Sequence, residues 1–223
     1  METTMGKRAR NRATATDITT LTPEYASYYG KHLPHMLAAE KRMLSIIDDY
    51  DDSDALTESH AIHNRTSRIK APSSMMKKME KHGLPTDAET ALANTHDYVG
   101  VRIVCAFIDD VSRIVRWLND ECDGVTIIKQ KDYITNPKPS GYRSYHVIVR
   151  LNGDGSELGD GYVVEIQIRT IAMDFWASLE HSVNYKHDIR NKEFIASELR
   201  RCADEIASTD VSMQTIRDLI EQS

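Results

Sequence analysis

The chain has 223 residues, 40% of them hydrophobic, with only 10 glycines and 6 prolines. That composition describes one globular domain able to bury a sizeable core, with room for appended helices. A formal net charge of -6 argues against a general nucleic-acid or anionic-membrane binder, whose surface needs an excess of cations, but leaves room for a local basic pocket.

Residues 1–20 are Thr-rich and carry Lys7, Arg8, Arg10 and Arg12 without the apolar core of a signal peptide. A disordered tail is expected there. No apolar run approaches the ~18 residues that a membrane helix needs. Cys105, Cys122 and Cys202 are far apart and odd in number, without the spacing of a zinc site. Disulfides are not expected, and a reducing cytoplasm is the expected compartment. Cys105 lies inside an apolar run and reads as a buried structural thiol.

Thr22-Pro23 reads as an N-cap followed by proline at the first helical position. The helix should run towards Tyr50, with Pro34 kinking or splitting it. Met36, Glu40, Met43, Leu44 and Ile47 share its mainly apolar face. The acidic run from Asp48 to Asp54 should end it, because carboxylates oppose the dipole at a helix C-terminus; a solvated loop is expected there. His32-x-x-His35 and His60-x-x-His63 imitate metal pairs, but no third ligand is evident, so surface histidines are expected.

Ser73 to His82 is a short helix closed by Gly83 and Pro85. Val99 to Phe107 is a near-continuous β-branched run, which predicts a strand buried on both faces. Asp109 or Asp110 can cap the next helix, where Val111, Ile114, Val115 and Leu118 recur at helical spacing. Val125 to Ile134 is another strand. Arg143 to Asn152 and Tyr162 to Thr170 form a hairpin across a Gly/Asp-rich turn. Ile171 to His187 and the segment from Asn191 onward are helical. The expected architecture is α+β: a mixed sheet of about five strands flanked by helices. The boundaries are a tail at 1–20, one domain at 21–190 and a helical extension at 191–223.

Chemistry concentrates in four blocks. In Val164-Glu-Ile-Gln-Ile-Arg-Thr170 the side chains alternate between sheet faces. Val164, Ile166 and Ile168 must face the core; Glu165, Gln167 and Arg169 share the other side and make a polar floor for a ligand. The bland alternative is a sheet face on water. Lys131 to His146 packs Lys131, Lys138, Arg143, three tyrosines and a Pro/Gly-rigidified loop into sixteen residues. Asp97 precedes the apolar strand at Val99, with Gly100 allowing close backbone approach; alone it would read as a turn or cap residue. Arg68 and Lys70 project from one side if extended, and Lys77, Lys78 and Lys81 follow within about one turn; in isolation such a charge run is a solvated face.

Taken together and in this order, these blocks resemble the synthetase domain of the Rel/Spo family, enzymes that make the alarmone (p)ppGpp. The matching segments are Arg68-Ile-Lys-Ala-Pro-Ser-Ser74, Asp97-Tyr-Val-Gly-Val-Arg-Ile-Val104, Lys131 to His146, and Val164 to His181. The resemblance implies a nucleotidyltransferase-like fold and a GTP/GDP pyrophosphokinase: pyrophosphate moves from ATP to the 3′-hydroxyl of GTP or GDP, and AMP leaves. It implies Mg²⁺ on Asp97 and Glu165, the two catalytic carboxylates. Arg68 and Arg102 would sandwich the adenine, and Lys70, Ser74, Lys78 and Lys81 would serve the ATP side. Lys131, Lys138, Tyr142, His146 and Gln167 would hold GTP or GDP, with Tyr142 stacked on guanine. Ser140 and Asp174 stand where asparagine is common in the family. The chain shows no His-Asp hydrolase motif, so synthesis without hydrolysis is expected.

Two rival readings remain at this level: another nucleotidyl- or phosphotransferase on the same sheet, and a catalytically silent guanine-nucleotide sensor. In the last helix, Ile195, Leu199, Cys202, Ile206, Thr209, Met213, Ile216 and Ile220 are spaced as a heptad seam, polar only at Thr209. With the family resemblance, this implies a homotetramer joined through terminal helices. No stable nucleic-acid partner is expected.

Overall fold

The computed structural model of the protein describes residue 16, residues 21–54, 60–153, 159, 161–184 and 191–223. The tail expected at 1–20 lies outside them except for Thr16, whose backbone N–H and hydroxyl donate to the buried Glu40 carboxylate at 3.1 and 2.6 Å. These bonds let a carboxylate sit on the apolar face of a helix.

A five-stranded mixed sheet runs in the order β1-β2-β5-β4-β3. The strands are β1 (Ile62–Ile69), β2 (Val99–Cys105), β3 (Val125–Asp132), β4 (Tyr145–Leu151) and β5 (Val163–Thr170). Only β2 and β5 pair in parallel; β1–β2, β3–β4 and β4–β5 are antiparallel. The hairpin expected of β4 and β5 is present. The helices are α1 (Pro23–Tyr29), α2 (His32–Asp54), α3 (Pro72–Lys81), α4 (Ala88–Asn94), α5 (Ile108–Asp120), α6 (Ile171–Asn184) and α7 (Lys192–Glu221).

The core lies on one sheet face. Val99, Val101 and Ile103 of β2, Val147 and Val149 of β4, and Val164, Ile166 and Ile168 of β5 pack with Met36, Met43 and Ile47 of α2 and Ile114 and Leu118 of α5. Burying this apolar surface is the main drive to fold. Cys105 is fully buried, and burial pushes its thiol pKa well up, as befits a structural cysteine.

Several expectations are corrected. The first helix does split, but at Gly30, which adopts φ +49°. Pro34 sits in the first turn of α2, where a missing N–H costs nothing. The acidic run is helical, not a loop: α2 continues through it to Asp54. Arg65 of β1, only 3% exposed, pairs with Asp48 and lies near Asp51, so part of that run is sequestered by a buried cation instead of a solvated loop. β2 is not buried on both faces: Gly100 and Arg102 look onto a cleft. Asp110 does cap α5, accepting the Phe107 N–H at 3.2 Å. His32 and His35 engage Tyr162, one by hydrogen bond at 2.8 Å and one by stacking.

Candidate active site

The face of the sheet opposite the core carries an unbroken polar row. Thr66 pairs with Arg102, Arg102 with Gln167, Gln167 with His146, and His146 with Lys131, so that one residue from each of the five strands lies in line. The adjacent row runs Arg68, Gly100, Glu165. Period-two alternation explains why the strands that bury Val101, Ile166 and Val147 on one side present these groups on the other.

A cleft of about 160 Å³ is lined by Thr66, Arg68, Asp97, Gly100, Arg102, Glu165 and Gln167, among others. A Cβ on Gly100 would meet Arg68 only at ordinary contact distance, 3.8 Å, so the fold itself does not demand glycine there; any close approach concerns what enters the cleft.

Asp97 is held between two ammonium groups, Lys70 Nζ at 2.8 Å and Lys78 Nζ at 2.7 Å. Burial pushes its pKa up, but the hydrogen bonds and charges of Lys70 and Lys78 outweigh burial and leave it below the ordinary aspartate value. The last turn of α3 supplies Lys78; Pro72 starts that helix just after β1. Ser74 is exposed in its first turn, while Lys81 is exposed at its last residue and does not line the cleft. Arg68 is exposed on the cleft wall.

Glu165 anchors a second network. His146 Nδ1 lies 3.2 Å from Glu165 Oε1, and Gln167 donates to Oε2 at 2.8 Å. Burial raises the Glu165 pKa, but His146 and Gln167 together bring it below the ordinary glutamate value. Tyr142 Oη is 2.9 Å from His146 Nε2 and accepts from Arg169 Nη2 at 2.6 Å. Arg169 can only donate, so the consistent arrangement gives the tyrosine proton to Nε2 and leaves Nδ1–H facing Glu165. Lys138 Nζ lies between two rings, 4.8 Å from Tyr133 and 4.6 Å from Tyr142, whereas Lys131 is 6.0 Å from the Tyr133 ring.

The structure thus gathers Asp97, Lys70 and Lys78 in one cluster and Glu165, His146, Gln167, Tyr142 and Lys138 in another. Arg102, half-buried, lines the cleft beside Gln167. Desolvation lowers its pKa, as does the neighbouring Arg169; its Nη1 pairs with Asp174 at 3.2 Å and its buried Nε has no hydrogen-bond partner among the described residues. Sequence reasoning placed Arg169 on the polar floor but assigned neither it nor Asp174 to a nucleotide. Arg169 is nevertheless a hub, donating to Asp174, Tyr142 and Gln167 at 3.0, 2.6 and 2.9 Å. Its alternation with Glu165 and Gln167 was the available signal.

Among the described residues no group of three or more His, Cys, Asp and Glu could hold a metal. Two carboxylates in one cleft, Asp97 and Glu165, do suit Mg²⁺, which keeps waters and shares its shell with substrate phosphates. No helix among the described residues is long and apolar enough to cross a membrane.

Comparisons with known proteins identify the family. Residues 67–190, more than half the chain, match the RelA_SpoT family, described as a region found in RelA/SpoT proteins. The chain is 38% identical over 160 residues to the GTP pyrophosphokinase YwaC of Bacillus subtilis, spanning 72% of this chain and 76% of that one. It is 36% identical to the GTP pyrophosphokinase YjbM of the same organism, spanning 71% and 73%. In three dimensions it resembles the small alarmone synthetase 1 of Bacillus subtilis bound to its product pppGpp, with a TM-score of 0.74, 31% identity, and 85% and 96% of the two chains covered. The conjunction of fold, cleft and sequence match leads to one conclusion: the chain belongs to the RelA/SpoT family.

Proposed function

We propose that this protein is a GTP/GDP pyrophosphokinase that makes (p)ppGpp from ATP and a guanine nucleotide. The observation that carries the reading is the polar row across all five strands, flanked by Lys70, Lys78 and Asp97 on one side and by Tyr142 and Lys138 on the other. Sequence relatives at 36–38% identity named as GTP pyrophosphokinases support it.

In this reading Arg68 and Arg102 stack on adenine, and Lys70, Ser74 and Lys78 meet the ATP phosphates as point charges. Tyr142 carries the guanine; Lys131, Lys138, His146 and Gln167 steady the acceptor. Glu165 takes the proton of the 3′-hydroxyl as its oxygen bonds to the β-phosphorus of ATP. The bond from that phosphorus to the oxygen bridging to the α-phosphate breaks, and AMP departs with the oxygen. Mg²⁺, when held by Asp97 and Glu165, supplies charge neutralisation for the transferring phosphates. The protein contributes mainly position and fixed charge, as in other phosphoryl transfers.

The test is to incubate the protein with ATP, Mg²⁺ and GTP or GDP and resolve the products. AMP with a 3′-pyrophosphorylated guanine nucleotide is expected. Release of pyrophosphate would mean a nucleotidyltransferase instead, and unchanged ATP a silent sensor.

We also propose a homotetramer. The heptad seam of α7 divides: Ile195, Leu199, Cys202 and Ile206 are half-buried, whereas Met213, Ile216 and Ile220 are 46%, 50% and 67% exposed. Phe175 and Leu179 of α6 are exposed as well. An apolar stripe of this kind supports helix-mediated contact with further copies.

A further inference from the structure

We infer that α7 positions the loop carrying Tyr142, and that Arg200 and Asp204 are its positioning residues. This rests on the reading of Tyr142 as the guanine platform. Lys138 and Tyr142 lie between β3 and β4, in a segment whose own bonds make a tight turn: Gly141 N–H donates to the Lys138 carbonyl at 2.8 Å, and Lys138 N–H to the Tyr142 carbonyl at 3.1 Å. Such a turn sets local shape but does not fix where the loop stands over the cleft.

Three residues of α7 supply that constraint. Arg200, Ala203 and Asp204 are spaced i, i+3, i+4 and so share one helix face. Arg200 Nη1 donates to the Pro139 carbonyl at 2.9 Å. Asp204 accepts from Arg143 Nη2 at 3.2 Å, and the other arm of Arg143 donates to the Ile134 carbonyl at 3.0 Å, so Asp204 reaches the far side of the loop through Arg143. Between them Gly141, at φ +93°, is pressed so closely on the helix that a Cβ there would stand 2.6 Å from the Ala203 Cβ. Tyr142 itself packs on a small apolar cluster that includes Trp176, Ala203, Leu199 and Cys202.

The helix is in turn fixed to the sheet side of the molecule. Trp176 Nε1 donates to the Leu199 carbonyl at 2.8 Å, the Thr170 hydroxyl to buried Asp210 at 2.7 Å, and Arg217 to buried Asp110 at 2.7 Å. Thr170 directly follows Arg169, the donor to the Tyr142 hydroxyl. α7 and β5 therefore hold Tyr142 from two directions. Neither Arg200 nor Asp204 lines the cleft.

The experiment is steady-state kinetics of full-length Arg200→Ala and Asp204→Ala, varying GDP at saturating ATP and then the converse. The KM for GDP should rise about two- to tenfold, the scale of one net hydrogen bond, with kcat and the KM for ATP within about twofold. Arg200→Lys and Asp204→Asn, which keep a donor and an acceptor, should restore most of the loss. Both side chains are exposed, so thermal melts should match the wild type. An unchanged KM for GDP would overturn the inference. So would an equal rise in both KM values, or a loss in kcat alone. Tyr142→Ala, measured alongside, separates the two levels. If it leaves GDP binding intact, the guanine pocket itself is misassigned. If it weakens GDP binding while the α7 variants do not, only the positioning role fails.

Discussion

Lys78 and Asp97 are joined by a 2.7 Å ion pair, and Lys70 occupies the other carboxylate oxygen at 2.8 Å. The groups assigned to phosphate and those assigned to metal thus neutralise each other until a nucleotide arrives. A carboxylate with both oxygens on ammonium groups is a poor cation ligand. ATP phosphates can draw both lysines away and expose it. The free protein should therefore bind Mn²⁺, a paramagnetic probe for the Mg²⁺ site, only weakly, and binding should appear on adding a non-hydrolysable ATP analogue. Lys70→Ala with Lys78→Ala should raise nucleotide-independent Mn²⁺ affinity about tenfold, the scale of losing a charge-assisted hydrogen bond. Electron paramagnetic resonance reads this without turnover. Tight Mn²⁺ binding by the unliganded wild type would refute the exchange.

Glu165→Gln should nearly abolish synthesis while the melt is unchanged, because the residue faces the cleft and not the core. A positioned base contributes about 10²–10⁴-fold. If the purified variant keeps more than about a tenth of wild-type turnover, the role assigned to Glu165 is wrong.

The environment of Glu165 also predicts a pH effect. Burial pushes its pKa up; the hydrogen bond from His146, with help from Gln167, brings it below the ordinary value of 4.5. Glu165 is then ionised and ready to accept a proton across neutral pH. In His146→Leu the burial remains while the largest opposing influence is gone, so the pKa must rise. The acidic limb of kcat/KM, which reports the free enzyme, should move to higher pH. An acidic limb that stays in place would show that another group controls it.

The two pockets should separate by mutation. Tyr142→Ala should weaken GDP binding by roughly 1–3 kcal/mol, the value of aromatic–base stacking, and leave an ATP analogue nearly unaffected. Tyr142→Phe should retain most GDP affinity, since it keeps the ring and loses only the hydroxyl bonds to Arg169 and His146. Arg68→Ala should act on the ATP side. Calorimetric titration of each ligand decides it, and a selective GDP defect in Arg68→Ala would reverse the assignment.

What the sequence disclosed follows from how local each signal is. Glu165, Gln167 and Arg169 were legible because strand alternation is a property of neighbours in sequence. β1 was not read as a strand, because its buried side holds Arg65, whose partners Asp48 and Asp51 come from a distant helix. The same pairing hid the true length of α2. α4 rests on the Asp87 cap, a 2.9 Å bond from Thr90 N–H, in a stretch with little apolar periodicity. Arg102 meets Asp174 only through tertiary contact, as the lysine pair meets Asp97. Strand order brings these residues together, and no local pattern specifies that order.

The last prediction concerns assembly. Cutting α7 before Ser208 would remove more than an apolar stripe, because Asp210 and Arg217 beyond that point bond to Thr170 and Asp110 of the domain. Point substitutions are the cleaner test. Ile216 and Ile220 are 50% and 67% exposed, so charges there cost the single chain little, whereas in a helix–helix seam each would be buried without a partner. Ile216→Glu with Ile220→Glu should reduce the mass in light scattering from four chains towards two or one while leaving the circular dichroism spectrum unchanged. A wild-type monomer at micromolar concentration would end the proposal of a tetramer. A tetramer that survives both charges would place its contacts elsewhere than this end of α7.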